Sequence, residues 1–502
     1  MGIAAASEES CRHGASLLAF KEHPHKRRII LLLIWTLVIL WVRPWTGDLR
    51  SDPLKYACIA KDMVEHNNWF SPMLDGEPYL NKPPLYFWFV AASFKLFGIS
   101  TYASKIPSLL FGTICIIFFY WVVYRLFEDH DIAFFSALAL LTTRWIYRNF
   151  ATSRPESLFL CSVLLGVYAL ILLKEHNAKG PYLMGISFAL GFLTKAAFGI
   201  LFPCVAVLHS LVTKRLFAWL RWSHFSYGCL LGVILTAPWF VYYETTNPGS
   251  FAYLIGPQTI QRITEGADVN KDPYMYLKEF AIYYHPYLVF FGLGFWVLIK
   301  RLKQETYFFI FLALLGLFIP LQLATGKSER YLTVITPFLS IVTALGILKY
   351  EKVKGIANKI AAFGVIPLLI FFWVVPLSVH SERFPVLHLA ERLSTEDHVD
   401  FKDLLAPLGL RKDQADTKRR YVEWSIRGPD REYRLANYLY LPTRFERWGD
   451  DAMSSWVRDG GPPILLLTST RSVPLLPQSG VRWLEINSDR SHALLVGMTD
   501  RL

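Results

Sequence analysis

The residues of this sequence best suited to chemistry are a carboxylate and a lysine on either side of a short, half-polar stretch. They are Asp52, in Ser51-Asp52-Pro53-Leu54-Lys55-Tyr56, and Lys82, in Tyr79-Leu80-Asn81-Lys82-Pro83-Pro84. An ionised carboxylate can act as a general base, taking a proton from an acceptor hydroxyl or phosphate. A lysine pinned by two prolines suits a phosphate as a point charge. Each residue also has a plainer reading. Asp52 before Pro53 fits a helix N-cap with proline at the first helical position. Lys82, just before the aromatic run Tyr86-Phe87-Trp88, fits a lysine snorkelling beside an apolar helix.

Further ionisable residues recur between apolar runs. Arg154 and Glu156 lie in Ala151-Thr152-Ser153-Arg154-Pro155-Glu156 and read best as a structural pair. Charges at a membrane boundary face a cavity or each other more often than lipid. Lys195, in Leu193-Thr194-Lys195-Ala196, reads best as a simple loop lysine. Arg262, in Ile260-Gln261-Arg262-Ile263, and Lys327 and Arg330, in Ala324-Thr325-Gly326-Lys327-Ser328-Glu329-Arg330-Tyr331, complete a candidate cationic ring. Separated cations converging on one face suit a lipid phosphate or pyrophosphate; positive charges left on that face by chance are the alternative. Gly326-Lys327-Ser328 has the ending of a phosphate-binding loop without its upstream glycines or its strand–loop–helix setting, so nucleotide binding is rejected there.

The elements that must position these residues are membrane helices. Of the 502 residues, 53% are hydrophobic, 16% aromatic and only 18% charged, a composition of an integral membrane protein. Apolar runs fall at about 29–45, 106–126, 131–147, 156–173, 181–194, 197–212, 226–243, 280–299, 306–323, 331–348 and 357–378. A span needs roughly 20 apolar residues, so several of these are short. Residues 84–98 are apolar but brief and open on a double proline, which predicts an interfacial or re-entrant helix. With an inside start, Arg125, Lys174, Lys179, Lys214, Arg215, Arg221, Lys300, Arg301, Lys303, Lys349, Lys352 and Lys354 all fall in cytoplasmic loops, as the positive-inside rule expects. Asp52, Lys82, Arg154, Glu156, Lys195, Arg262, Lys327 and Arg330 then share the opposite face, as a surface active site requires.

The net charge of +12 is therefore a topology signal; no basic stripe with base-stacking aromatics points to nucleic acid. Six cysteines without a CxxC or metal-ligand spacing imply neither a disulfide framework nor a structural zinc site. The sequence predicts an all-α polytopic bundle of 11–13 spans: a cytoplasmic segment 1–28, a membrane domain 29–378 with a large first external loop at 46–105, and a soluble α/β domain at 379–502. In the last, strands are expected over 463–470, 482–486 and 492–496, with helices near 431–439 and 450–458.

In this order, Asp52-Pro53-Leu54-Lys55-Tyr56, Tyr79-Leu80-Asn81-Lys82-Pro83-Pro84, Arg154-Pro155-Glu156, Leu193-Thr194-Lys195, Ala237-Pro238-Trp239, Ile260-Gln261-Arg262 and Ala324-Thr325-Gly326-Lys327 with Tyr331 resemble the GT-C membrane glycosyltransferases. The likeness is to the lipid A aminoarabinose transferase branch, related to protein O-mannosyltransferases. The resemblance implies an inverting transferase of the bacterial inner membrane. It would move a sugar from a polyprenyl-phosphate donor to a periplasmic-face acceptor such as lipid A or another glycolipid, with the C-terminal domain in the periplasm. It makes Asp52 the essential acid, puts Lys82, Arg262 and Lys55 on the donor phosphate, and lines the pocket with Tyr56, Tyr86, Arg154, Glu156, Lys195, Lys327, Arg330 and Tyr331. The branch commonly has Glu before the lysine of the second motif. Asn81 stands here instead, so no metal is assigned, and a divalent cation has no support from that position. The competing reading is a transporter or flippase of a lipid-phosphate substrate; protein O-mannosyltransferase-type acceptor use is the other alternative.

Overall fold

The computed structural model describes residues 24–41, 49, 51–196, 199, 201–261, 264, 272–284 and 287–363, and in the C-terminal part 420–424, 445–448, 450–459, 464–469, 473, 476, 481–488 and 492–499. Helices dominate the first part. They are α1 (Pro24–Thr36), α2 (Ser51–Glu65), α3 (Leu85–Phe97), α4 (Thr101–Phe127), α5 (His130–Thr142), α6 (Arg144–Phe150), α7 (Glu156–Lys174), α8 (Lys179–Lys195), α9 (Leu201–Val212), α10 (Leu216–Leu220), α11 (Ser223–Thr246), α12 (Ser250–Ile255), α13 (Met275–Tyr283), α14 (Leu288–Lys300), α15 (Glu305–Leu323), α16 (Thr336–Ile347) and α17 (Glu351–Phe363). A two-strand hairpin, β1 (Met73–Leu74) with β2 (Glu77–Pro78), closes the loop between α2 and α3.

Among the described residues α4, α7, α11 and α15 are long and apolar enough to cross a membrane, and α13 and α14 together are a broken span or a re-entrant loop. Where the other apolar runs are described, their helices are shorter. The run expected at 131–147 breaks at Thr143, whose extended backbone separates α5 from α6. The 13 residues of α3 rise only about 20 Å, short of the roughly 30 Å hydrocarbon core.

Two crossings bring backbones together through glycine. A Cβ on Gly294 would lie 1.7 Å from the Val342 carbonyl oxygen and one on Gly346 1.8 Å from that of Phe290, so α14 and α16 touch only because neither residue has a side chain. Gly185 and Gly228 do the same for α8 and α11, a Cβ on Gly185 falling 2.1 Å from the Gly228 carbonyl oxygen. Small residues at membrane-helix interfaces permit this close approach.

Helices α2 and α3 share a core that also takes in Leu158 of α7 and Leu467 and Leu494. Leu54, Tyr56, Ala57, Ile59 and Met63 of α2 pack on Tyr86, Phe87, Val90 and Phe94 of α3. Helix α11 ties the loop to the bundle: the Trp239 indole donates to the Phe70 carbonyl oxygen at 3.0 Å, and the Tyr243 hydroxyl to that of Tyr79 at 3.1 Å. These bonds explain the Ala237-Pro238-Trp239 segment as an anchor for the loop.

In the C-terminal part, β3 (Arg420–Trp424), β4 (Phe445–Trp448), β5 (Ile464–Ser469), β6 (Val481–Ser488) and β7 (His492–Thr499) form a sheet in the order β4-β3-β5-β7-β6, with α18 at Asp450–Asp459. Strand β3 runs parallel to β4 and β5; β7 runs antiparallel to β5 and β6. Strands β5, β6 and β7 and helix α18 coincide with expected elements; the helix expected near 431–439 lies outside the described residues.

Candidate active site

Helix α2 places the first functional carboxylate. It begins at Ser51, which takes a left-handed φ of 50°, and Asp52 sits inside its first turn. Its carboxylate faces cations: Oδ2 pairs with the Arg330 guanidinium and Oδ1 lies 3.5 Å from Lys55 Nζ, one turn along α2. Burial alone would raise the Asp52 pKa, but Lys82, Arg330 and Lys55 outweigh it and hold the group well below the usual carboxylate range. Arg330 comes from the 3₁₀ turn Glu329–Val334 between α15 and α16, and Ser328 Oγ accepts its Nε–H at 3.2 Å.

Lys82 stands just before α3 and donates to the Tyr56 hydroxyl at 2.5 Å, its ammonium 4.7 Å from the ring centroid. The side chain is half-buried, and the surrounding protein shields it from bulk water. That shielding lowers its pKa to about 7, against the pull of Glu156 and Asp52. Behind Tyr56, the buried Tyr86 hydroxyl meets Ser108 Oγ at 2.8 Å and Ser153 Oγ at 3.2 Å. Tyr86 therefore buttresses the wall and does not line it.

Glu156 and Lys195 form a second ion pair at 3.1 Å, with side chains only 1% and 8% exposed. This corrects two expectations. Glu156 pairs with Lys195 and not with Arg154, because residues two apart do not face each other at a helix start; the Arg154 guanidinium donates to Asn149 Oδ1 at 2.8 Å. Lys195 is a buried partner and not a loop lysine. The second carboxylate oxygen of Glu156 is buried without a hydrogen-bond partner.

These groups line one cavity of about 450 Å³, among them Asp52, Lys55, Tyr56, Lys82, Glu156, Lys195, Arg330 and Tyr331. Three expected members lie elsewhere. Tyr86 is behind the wall, Arg154 is turned to Asn149, and Lys327, 3% exposed, donates to the Ala324 carbonyl oxygen over the Tyr276 ring. Arg262 lies outside the described residues. Sequence reasoning missed Tyr253, Gln258 and Thr259, which also line the cavity. The Gln258 amide donates to Asn81 Oδ1 and to the Tyr253 hydroxyl, both at 3.1 Å. Gln258 sits on a π-helical turn, Gly256–Gln261, a feature common at functional sites.

The cavity sets four cations, Lys55, Lys82, Lys195 and Arg330, against two carboxylates, Asp52 and Glu156. Among the described residues no group of three or more His, Cys, Asp or Glu could hold a metal ion, and both cavity carboxylates already have cationic partners.

A family model described as dolichyl-phosphate-mannose-protein mannosyltransferase matches residues 81–242. An uncharacterized protein of Aquifex aeolicus is 25% identical over 358 residues, covering 70% of this chain and 68% of its own. The undecaprenyl phosphate-alpha-4-amino-4-deoxy-L-arabinose arabinosyl transferase of Yersinia enterocolitica is 27% identical, over 66% of this chain and 63% of its own. The transferase of that name from an Enterobacter species is 26% identical, over 51% and 47%. The chain thus matches about half to just under two thirds of those transferases. Among solved structures, ArnT from Cupriavidus metallidurans bound to undecaprenyl phosphate aligns with a TM-score of 0.69 at 14% identity, covering 93% of this chain and 97% of that one. The archaeal oligosaccharyltransferase AglB from Archaeoglobus fulgidus aligns at 0.52 and 11% identity, over 90% and 70%. The chain is a multi-pass membrane protein with the GT-C fold, and its sequence resembles the ArnT and protein mannosyltransferase group.

Proposed function

Proceeding from that fold, we propose that this chain is an inverting glycosyltransferase of the bacterial inner membrane. It moves a sugar from a polyprenyl-phosphate donor to a glycolipid acceptor, such as lipid A, at the periplasmic face. The names of the transferase relatives support the donor. The observation that carries the reading is the cation surplus of the cavity. A glycosyl phosphate leaves without a general acid if cations absorb the charge that grows on its oxygens, and one surface carboxylate then suffices where glycosidases use two. Lys82, Lys55 and Arg330, with Arg262, hold the phosphate; Asp52 is the essential acid that keeps Arg330 and Lys55 in place. Lys195 and Tyr331 complete the wall. A lipid-borne donor enters sideways from the bilayer, which accounts for a catalytic cavity built among helices.

The test is mass spectrometry of envelope glycolipids from cells with the chain, without it, and with Asp52→Asn in its place. A sugar should disappear from one glycolipid in both altered strains while its polyprenyl-phosphate form accumulates. Unchanged glycolipids in the strain lacking the chain would overturn the reading. A reporter fused after Val379 should register the periplasmic side; a cytoplasmic signal would overturn the orientation.

A further inference from the structure

If the transferase reading holds, the cavity must seat a sugar beside the phosphate. Besides its six charged side chains, Asn81, Tyr253, Gln258 and Thr259 give it a neutral polar wall. The Gln258 amide sets the polarity of that wall. It donates at 3.1 Å to Asn81 Oδ1 and at 3.1 Å to the Tyr253 hydroxyl, so it occupies acceptors. What is left for a ligand is chiefly donors. They are the Asn81 amide N–H groups, which have no protein partner among the described residues, and the proton of the Tyr253 hydroxyl. Asn81 is half-buried, and its nitrogen is not closed off, in contrast to Gln258 Oε1, which is buried without a partner. Thr259 gives its proton to the Leu254 carbonyl oxygen at 2.9 Å, which leaves one hydroxyl oxygen as an acceptor.

Charge points the same way. Lys55, Lys82, Lys195 and Arg330 stand against Asp52 and Glu156, and each carboxylate is already paired, so two positive charges are unmatched. A phosphate monoester, the form left when the sugar departs, carries nearly two negative charges at neutral pH. Phosphate alone therefore balances the cavity. A sugar with an ammonium group adds to the surplus, and one with a carboxylate reverses it. An ammonium is also all donor, with no acceptor, so it would meet the Asn81 N–H groups donor to donor. We propose that the sugar is an uncharged one whose oxygens accept from Asn81, and that an amino sugar is excluded. The transferase relatives carry 4-amino-4-deoxy-L-arabinose in their names; this chain then shares their lipid carrier and parts from them in sugar. Discrimination of this kind rests as much on what the wrong ligand leaves unmet as on contacts to the right one.

The test is equilibrium binding at neutral pH to the purified wild-type chain and to Asn81→Asp in lipid nanodiscs. The probes are polyprenyl phosphate alone and synthetic donors in which it is joined to arabinose, to 4-amino-4-deoxyarabinose, or to the 4-formamido derivative. A hexose donor and its hexuronic acid counterpart complete the set. The wild type should bind the arabinose and formamido donors alike. It should bind the amino donor about 10–100-fold more weakly, the range for a hydrogen bond to a charged group. The hexose donor should bind more tightly than the hexuronic acid donor. Asn81→Asp keeps the shape and still accepts from Gln258 while adding a carboxylate, so it should cut the preference against the amino donor about tenfold or more. Equal or tighter binding of the amino donor by the wild type would overturn the proposal, as would tighter binding of the hexuronic acid donor than of the hexose donor. Both results are read on the wild type, whatever the fate of the variant. A folded Asn81→Asp with the wild-type preference would take Asn81 off the sugar and overturn it too. A wild-type chain that binds none of the probes, polyprenyl phosphate included, overturns the transferase reading itself, and this inference with it.

Discussion

Two carboxylates at opposite ends of the bundle each bridge two cations, with different consequences. Asp52 joins Arg330 and Lys55 beside a cavity of about 450 Å³. Glu305 joins Lys174 at 3.0 Å and Arg215 at 3.1 Å around a void of about 40 Å³. Helix α7 connects the two regions, beginning with Glu156 in the cavity and ending with Lys174 at the staple, about 27 Å away by helix rise. The local pairing is alike; the surroundings differ. Around Asp52, further cations and an unfilled volume leave charge to spare for a ligand. Around Glu305 there is room for little more than a water molecule, so the ion pairs hold α7, α15 and the turn before α10 together. An ion-pair cluster becomes a site only with vacant volume and unspent charge.

The largest effect expected from this contrast is at Asp52. Asp52→Asn should lower sugar transfer by about 10³-fold, the scale seen when transition-state stabilisation is removed, measured as turnover in nanodiscs. Thermal stability should change little. Comparable loss of both would make Asp52 a staple like Glu305.

Lys82→Ala should weaken polyprenyl phosphate binding by about 10–100-fold, the range for hydrogen bonds to charged groups. Because burial brings the Lys82 pKa to about 7, its ammonium is present below that pH and lost above it. Affinity in the wild type should therefore fall as pH rises through about 7. Lys82→Arg, which keeps its charge throughout, should flatten that profile. A wild-type affinity independent of pH between 6 and 9, estimated from the same titration range, would remove Lys82 from the phosphate.

Glu305→Gln should do the reverse of Asp52→Asn. It should cost about 0.5–1 kcal/mol of stability, modest because the cluster is partly exposed, seen as a small drop in melting temperature, with transfer unchanged. Loss of transfer at wild-type stability would couple the two ends. Smallest of all, Asn81→Ala removes the acceptor for Gln258 and should change the apparent KM for donor only about 2–5-fold, one neutral hydrogen bond's worth.

Much of this site was legible in sequence, and the misses have physical causes. Asp52, Lys82 and Arg330 could be placed on one face because the positive-inside rule fixes the sidedness of loops. The Glu156–Lys195 pair could not, because it joins the starts and ends of different helices and depends on how α7 packs on α8. Arg154 looked like its partner from sequence proximity alone. Lys327 and Arg330 seemed equivalent, yet the 3₁₀ turn sends Arg330 to Asp52 and leaves Lys327 over Tyr276. Gln258 was hidden because a π-helical turn has no compositional signature. The membrane class followed from composition. The lengths of individual helices did not, since breaks such as Thr143 interrupt apolar runs without changing their hydropathy.

The most direct measurement is equilibrium binding of polyprenyl phosphate to the purified wild-type chain and to Lys82→Ala in lipid nanodiscs. Saturable binding by the wild type, weakened at least tenfold in the variant, is the predicted result. Equal binding by both, or none by either, would contradict a phosphate site in this cavity.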